Sequence, residues 1–131
     1  MIFVDAGAWY ASAVPDDDNH PAARKWLDGN TQPLLTTDYV IDETLTLLKM
    51  RGYPSLSLEL GETLFAGELA DIVLITEDDI QQAWRTFRQF RDKAWSFTDC
   101  TSRAVMERLG ITQAFVFDHH FRQFGAVIVV P

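Results

Sequence analysis

The chain opens with the stretch "MIFVDAGAWYASAV", residues 1–14, in which a strand pattern gives way to a helix pattern at a carboxylate. Ile2, Phe3 and Val4 are strand-forming residues, Asp5 follows them directly, and small residues begin the helical pattern at Ala6. A short apolar run without polar alternation is typical of a strand that helices cover on both faces. The stretch therefore predicts an α/β fold with an acid at the end of its first strand.

The rest of the chain repeats this alternation of short apolar runs and longer amphipathic segments. It predicts strands at residues 2–4, 33–37, 71–76, 114–117 and 126–130. It predicts helices at residues 6–14, 20–28, 38–51, 55–69, 78–92, 97–109 and 119–124. Regular alternation of this kind indicates one α/β domain over residues 1–131, with a mostly parallel central sheet of about five strands.

Composition narrows the classes of protein that the chain can represent. Its single cysteine, Cys100, cannot form an intramolecular disulfide, and the apolar start has no basic leader, so we expect a cytoplasmic protein. No apolar run reaches the roughly 18 residues of a membrane span, so we expect no membrane association. The net charge of −8, from 19 acids and 11 bases, argues against broad electrostatic binding of nucleic acid. A nuclease that holds phosphate through a divalent metal ion remains compatible with this charge.

Several acids fall where predicted strands end or predicted helices begin. Asp5 ends the first strand, Asp118 ends the fourth, and Asp99 begins the helix at 97–109. Each of these acids has a structural explanation as a helix cap, and Asp99 also has Arg103 four residues on for a surface ion pair. Ser96 and Asp99 fit the Ser/Thr-x-x-acid capping pattern, as do the residues at 76 and 79.

Glu43 is harder to explain as a structural residue. It shares one face of the helix at 38–51 with Val40 and Leu47, and an acid in an apolar stripe is costly unless it is paired or bound to metal. Asp42, by contrast, groups with Asp38 on the side that we expect to be solvated. Acids that meet at the carboxyl edge of a parallel sheet repel one another, and such a set suits a hard divalent cation.

The contexts of these four acids together resemble the PIN-domain ribonucleases, and more closely the VapC-like toxins of toxin–antitoxin pairs. The likeness covers essentially the full chain and rests on four segments in order: "FVDAGAW" (3–9), "TTDYVIDETLTLL" (36–48), "SFTDCTSRAVMERLGI" (96–111) and "AFVFDHHFRQFG" (114–125). The resemblance implies a three-layer α/β/α sandwich. It also implies a Mg²⁺- or Mn²⁺-dependent endoribonuclease whose metal pocket and catalytic residues are Asp5, Glu43, Asp99 and Asp118.

The resemblance further implies partners and supporting residues. It predicts an RNA substrate, a small antitoxin protein and a homodimer. The segment 56–69 is a region of contact with either protein in the family, but packing into the core explains its apolar pattern equally well. Ser96 and Thr98 stand where the family often places a hydroxyl beside the third acid. The chain departs from the common pattern at Val116 and His120, where many members carry a hydroxyl residue and some a further acid, so His120 joins the supporting residues.

A basic series on the helix at 78–92 has two interpretations. Arg85, Arg88 and Arg91 recur every three residues, opposite an aromatic series that begins at Trp84, and they are either a track for RNA phosphates or an ordinary solvated face. The adjacent pair at 119 and 120 invites a metal role, but we expect neighbouring side chains to diverge and the pair to be structural or on the surface.

Two other functions stay open at this point. A PIN domain that binds RNA or a protein without cleaving would not need the complete set of four acids. A receiver-type signalling module is another α/β fold with acids at strand ends, but it needs a lysine late in the sheet, and this chain has none after Lys93.

Overall fold

The computed structural model describes residues 1–125 and 127–131, and its centre is one five-stranded sheet. The strands lie in the order β3-β2-β1-β4-β5, and all four pairings between neighbours are parallel. They are β1 (Ile2–Val4), β2 (Leu34–Thr37), β3 (Asp71–Val73), β4 (Gln113–Phe115) and β5 (Ile128–Val130). The predicted parallel sheet of five strands is confirmed, while Ala126, predicted to begin the last strand, lies outside the described residues.

Within the described residues, six α-helices and one 3-10 helix surround this sheet. They are α1 (Ala6–Ala13), α2 (His20–Gly29), α3 (Asp38–Met50), α4 (Pro54–Phe65), α5 (Glu77–Gln89), α6 (Phe97–Leu109) and the 3-10 helix His119–Phe124. Among the described residues, no helix is both long enough and apolar enough to cross a membrane.

Helices cover both faces of the sheet, as the short apolar strands predict. Phe3 and Val4 point to opposite faces of β1, and neither is exposed. Phe3 stacks on Phe121 of the 3-10 helix, with ring centroids 6.0 Å apart. On the other face Phe115, the register partner of Val4, packs on Trp26 of α2 at 4.3 Å. The sandwich of helix, sheet and helix is therefore confirmed.

Several predicted elements end earlier than the sequence pattern indicates, including the helix predicted at 78–92, which ends at Gln89. The strand predicted at 71–76 stops at Val73 because the next backbone groups have other partners: the N–H of Ile75 donates to Asp38 Oδ1 (2.9 Å), and Thr76 caps α5. The helix predicted at 55–69 ends at Phe65, and Gly67 follows with a φ of 74° that favours glycine. Similarly, β4 ends two residues before the predicted boundary at 117.

Helices α5 and α6 pack side by side with opposite directions. Near the start of α5, Asp79 accepts two hydrogen bonds of 2.9 Å from Arg108 near the end of α6. At the other end, the rings of Phe87 in α5 and Phe97 in α6 lie 5.9 Å apart in an edge-to-face arrangement. Both helices begin with the reciprocal caps that the sequence predicts. The C-terminal end of α5 therefore lies beside the first turn of α6.

The Asp79–Arg108 ion pair predicts a stability effect that depends on pH. Burial raises the pKa of Asp79, but the hydrogen bonds from Arg108 and Thr76 outweigh burial and hold that pKa below its usual value. Because a lowered pKa stabilises the fold above the unfolded value of 3.8, Asp79→Asn should cost about 2 kcal/mol at pH 7. Chemical denaturation should show this loss shrinking as the pH falls below about 4.

Asp78→Asn is the matched control, because Asp78 is an exposed acid in the same first turn of α5. It removes one charge from the helix N-terminus and should cost less than about 1 kcal/mol. Equal losses in the two variants would contradict a structural role for the ion pair.

Candidate functional site

The candidate site lies where the order of the strands changes direction. From β1 the chain proceeds outward to β2 and β3, and then returns to the other side of β1 with β4 and β5. The carboxyl edge of a parallel sheet at such a reversal is where α/β proteins hold ligands. Asp5 follows β1 there, Asp118 lies three residues beyond β4, and the N–H of Asp5 donates to the carbonyl of Phe115 (3.3 Å).

Asp5 forms the buried floor of the site. It occupies the N-cap position of α1, yet its side chain makes no capping hydrogen bond within the described part of the chain. Its residue surface is 6% exposed, and Oδ1 is buried without a hydrogen-bond partner among the described residues. Capping, the structural explanation for this acid, therefore does not account for its position.

The environment of Asp5 disfavours its charge. Burial is the main cause that raises its pKa to about 8, and the nearby carboxylate of Asp99 is the next. The backbone amide of Ala6 acts in the opposite direction without outweighing burial. Glu43 and Asp118 add further repulsion, so all three other predicted acids act on Asp5.

Asp99 reaches the site from the first turn of α6. Ser96 Oγ accepts from the N–H of Asp99, and Asp99 Oδ2 accepts from the N–H of Ser96, each at 3.0 Å. This reciprocal cap fixes the carboxylate and leaves Oδ1 without a cap partner. Burial raises the pKa of Asp99, the Ser96 amide opposes that rise, and the charge of Asp118 supports it.

Glu43 approaches the same centre from α3. Its side chain is half-buried, and burial together with the charges of Asp99 and Asp118 raises its pKa. Its neighbour Asp42 is exposed, as the sequence predicts, whereas the Asp38 carboxylate accepts from a backbone amide and has a structural role. We call Asp5, Glu43, Asp99 and Asp118 the acid cluster. Like-charge repulsion acts in each of the six pairs among them.

Two histidines stand at the rim of the acid cluster. Asp118 caps the 3-10 helix by accepting from the N–H of His120 (2.9 Å), and its side chain is 43% exposed. His120 Nδ1 lies 3.2 Å from Asp118 Oδ2 and 3.5 Å from Asp99 Oδ2, between the two carboxylates. His119 Nδ1 lies 3.8 Å from Asp118 Oδ1. The expectation that the side chains of His119 and His120 diverge is wrong, because both rings lie close to the Asp118 carboxylate and their centroids are 4.7 Å apart.

The remaining predicted residues fall into different roles. Ser96 supports Asp99 through the cap, while the hydroxyl of Thr101 donates to the carbonyl of Thr98 (2.7 Å). Arg103 does not pair with Asp99: its Nε lies 3.2 Å from Glu107, one turn further on, and its guanidinium lies over two aromatic rings. The arginines at 85, 88 and 91 lie at the surface of α5 and the turn after it, outside the acid cluster.

Sequence reasoning missed one residue that supports the site. Thr36 of β2 is fully buried, accepts a hydrogen bond from the indole of Trp9 (3.2 Å) and donates to the carbonyl of Val4 (3.1 Å). It thereby fixes the backbone just before Asp5 and the helix just after it. A hydroxyl within a strand covered on both faces was the available signal, since a buried polar group needs partners.

The donor set of the site fits a divalent metal ion. Carboxylate oxygens are the ligands that Mg²⁺ and similar hard cations prefer, and the buried Asp5 Oδ1 lacks a protein partner among the described residues. Asp118, His119 and His120 offer ligand atoms that all lie within 4.8 Å of one another. This group shares Asp118 with the acid cluster.

The fold and this arrangement define the class of protein. The chain belongs to the PIN-domain family, whose domain matches residues 2–127. Nucleases of this family generally use divalent metal ions. The family resemblance found in the sequence is therefore confirmed.

Individual relatives make the relationship more specific. The 23S rRNA-specific endonuclease VapC20 of Mycobacterium tuberculosis, from strains CDC 1551 / Oshkosh and ATCC 25618 / H37Rv, is 33% identical over 131 residues, which is 100% of this chain and 99% of the relative. The crystal structure of Mycobacterium tuberculosis VapC20, described as a sarcin-ricin loop cleaving toxin, has a TM-score of 0.93 at 30% identity, with full coverage of both chains. The predicted relationship to VapC-like endoribonuclease toxins is thus confirmed along the full chain.

A more distant structure shares the fold. FitAcB from Neisseria gonorrhoeae aligns with a TM-score of 0.72 at 16% identity, covering 100% of this chain and 97% of the other. At this identity the likeness shows the fold alone.

The raised pKa of Asp5 predicts how the stability of the metal-free protein depends on pH. An unfolded Asp5 titrates near 3.8 and the folded one near 8, so folding takes up a proton between these values, and stability should fall as the pH rises through this window. Each pKa unit corresponds to about 1.4 kcal/mol. Asp5→Asn should therefore be more stable than wild type at pH 8, by a few kcal/mol, in chemical denaturation with EDTA.

The control for this prediction is Asp42→Asn, which removes an exposed acid next to Glu43. It should keep the wild-type dependence on pH between about 4 and 8. If Asp5→Asn also kept that dependence, the burial of an uncompensated charge at Asp5 would be refuted.

Proposed function

We propose that the protein is a metal-dependent endoribonuclease and the toxin of a toxin–antitoxin pair. The observation that carries this proposal is the buried Asp5 carboxylate, whose Oδ1 lacks a hydrogen-bond partner among the described residues and which faces the repulsion of three further acids. The relationship to a 23S rRNA-specific endonuclease supports RNA as the substrate. We also propose that residues 1–131 act as one PIN-like domain, since the family match spans residues 2–127.

The four residues of the acid cluster would hold Mg²⁺ or Mn²⁺. When bound, the ion would supply an activated water and neutralise charge that develops on the scissile phosphate. Asp5 would provide a ligand from the buried floor, which excludes bulk water on that side. Asp118 would provide one from the rim, where RNA has access. By analogy with the family, we expect products with 5′-phosphate and 3′-hydroxyl ends.

Supporting residues would set the orientation of these carboxylates. The Ser96 cap fixes Asp99 through two hydrogen bonds, and His120 lies between Asp99 and Asp118. A proton on His120 Nδ1 would attract both carboxylates and limit their mutual repulsion. We assign His120 a role in positioning these two carboxylates. Thr98, the residue before Asp99, contributes its carbonyl to a hydrogen bond within the first turns of α6.

Substitutions within the acid cluster should remove both cleavage and metal binding. Asp5→Asn and Glu43→Gln should lower the rate of cleavage at least about 100-fold, because each removes a charged oxygen ligand of the proposed ion. Millimolar Mg²⁺ or Mn²⁺ should raise the melting temperature of wild type and have little effect on either variant. The measurements are gel assays on deproteinised 23S rRNA and thermal melts with and without metal.

Asp42→Asn again provides the control, since it removes a carboxylate one residue away that points to solvent. It should keep both cleavage and the melting shift. Metal stabilisation without cleavage of any RNA would favour the alternative, a PIN domain that only binds. Wild-type cleavage in Asp5→Asn would overturn the assignment of Asp5.

We also propose a homodimer and an antitoxin as protein partners, with a cytoplasmic location as the sequence predicts. Leu58 and Phe65 lie seven residues apart on one face of α4 and are 70% and 67% exposed. Two such side chains at the surface of one helix support a protein contact within the predicted segment 56–69. For the antitoxin, the relationship to VapC toxins is the supporting observation.

The proposed dimer contact makes a prediction for sedimentation. Phe65→Glu should shift the protein from dimer to monomer, because it would bury a charge in an apolar contact. Gln81→Glu adds the same charge at an exposed position of α5 and should leave the dimer intact. A wild-type protein that sediments as a monomer at micromolar concentration would refute the proposal.

A further inference from the structure

The outer face of α5 exposes aromatic rings next to arginines. Trp84 and Phe87 are 51% and 39% exposed, and with Arg85, Arg88 and Arg91 they line a shallow surface depression of about 540 Å³. The prediction that the aromatic series lies opposite the arginines is wrong. Positions 84, 87 and 88 are spaced three and four apart and so share one face. We call these five residues the α5 face.

The buried side of α5 is formed by other residues. Asp79, Ala83 and Thr86 are the positions that pack into the protein, at the spacing of one helical stripe. Trp84 is therefore not needed to fill the core, in contrast to Trp9 and Trp95, which are almost fully buried. A half-exposed tryptophan leaves a large aromatic surface in contact with water, and such a surface is available to bind a ligand.

The geometry of the α5 face suits a planar ligand that carries negative charge. The rings of Trp84 and Phe87 are stacked, 6.1 Å between centroids and inclined by 25°, and the Arg88 guanidinium lies 5.9 Å from the centre of the Trp84 ring. Nucleic-acid bases stack on such aromatic and guanidinium surfaces, while arginine side chains pair with phosphate.

The arginines of the α5 face differ from the three arginines of the protein that pair with acids. Arg24, Arg103 and Arg108 each form an ion pair with an acid. Within residues 1–125 and 127–131, Arg85, Arg88 and Arg91 form no such pair, and Arg85 donates to the uncharged Gln82 (2.9 Å). On a protein with a net charge of −8, this is a local concentration of uncompensated positive charge.

The α5 face also lies near the acid cluster. Phe87 contacts Phe97, and Phe97 is in the first turn of α6, two residues before Asp99. The antiparallel packing of α5 and α6 puts the C-terminal half of α5 at that same end. The α5 face and Asp99 therefore lie at the same end of the α5–α6 pair.

We propose that the α5 face binds single-stranded RNA, stacking one unpaired base on Trp84 and Phe87 while Arg88 and Arg91 contact the adjacent phosphates. The inference rests on the proposed function and adds to it an RNA-binding surface outside the acid cluster, which would hold an unpaired nucleotide beside the cleaved bond. Paired bases are already stacked within a duplex and do not present their faces to a protein. The face therefore selects loops or single strands.

Binding of a labelled oligoribonucleotide in EDTA tests the proposal separately from cleavage. Trp84→Ala should weaken binding of a single-stranded oligonucleotide about 10-fold and should have little effect on the duplex of the same sequence. The same oligonucleotide should quench tryptophan fluorescence in wild type and much less in Trp84→Phe. Because Trp84 is exposed, circular dichroism melts should show the variants folded.

The arginines have a test of their own in the salt dependence. Arg88→Ala and Arg91→Ala should each reduce the slope of log K against log salt by about 0.7, the value for one phosphate on a single strand. Arg24→Ala, on α2 and paired with Asp28, is the matched control and should leave the slope unchanged.

The outcomes separate this proposal from the nuclease proposal. Unchanged single-strand binding in Trp84→Ala overturns the α5 face as an RNA site, even if Asp5→Asn abolishes cleavage. Equal weakening for single strand and duplex overturns the stacking of an unpaired base. If Trp84→Ala binds RNA normally but no longer binds a co-expressed protein, the RNA proposal is overturned and the α5 face is assigned to a protein partner. Wild-type protein that cleaves no RNA with Mg²⁺ or Mn²⁺ refutes the nuclease proposal and leaves the binding result standing.

Discussion

Four carboxylates are held close together against their mutual repulsion, and this constraint governs the rest of the structure. Asp5 bears most of the cost, because it is buried as well as surrounded and its pKa rises to about 8. A protein relieves such a cost by taking up a proton, by spreading the acids apart or by binding a cation. The fold limits the second of these, since each acid is attached to a different fixed element.

The elements that carry the acids are fixed by contacts outside the site. The bond from Asp5 to Phe115 joins the ends of β1 and β4, and Thr36 secures the backbone of β1 from the neighbouring strand. Asp99 is fixed by its cap with Ser96. Among the acid cluster, Asp118 lies at the exposed rim, as the N-cap of a short 3-10 helix, so the site combines a rigid floor with an accessible edge.

Much of the fold could be predicted from the sequence because the signals are local. Short apolar runs gave the parallel strands, and the two Ser/Thr-x-x-acid patterns gave the starts of α5 and α6, which form as predicted. The ends of the strands were predicted less accurately. The N–H of Ile75 donates to Asp38, 37 positions away in the sequence, and is therefore not available to the sheet. No local pattern reports such a contact.

The site was partly predictable for the same reason. The four acids follow from strand ends and from one apolar stripe, but the lack of a cap at Asp5 and the approach of His119 to Asp118 depend on tertiary geometry. On α5, counting residues in threes placed Trp84 opposite the arginines, whereas the helical period of 3.6 residues places it among them. Whether a side chain on that helix is exposed depends on how α6 packs against it.

The antiparallel pairing of α5 and α6 has an evolutionary consequence. One side of α5 is committed to the interior through Asp79, Ala83 and Thr86, while Trp84 and the arginines of the α5 face lie at the surface. Mutations on that outer side can accumulate without loss of folding or of the acidic centre. Related proteins with this fold can thereby diversify in binding specificity while the reaction they catalyse stays the same.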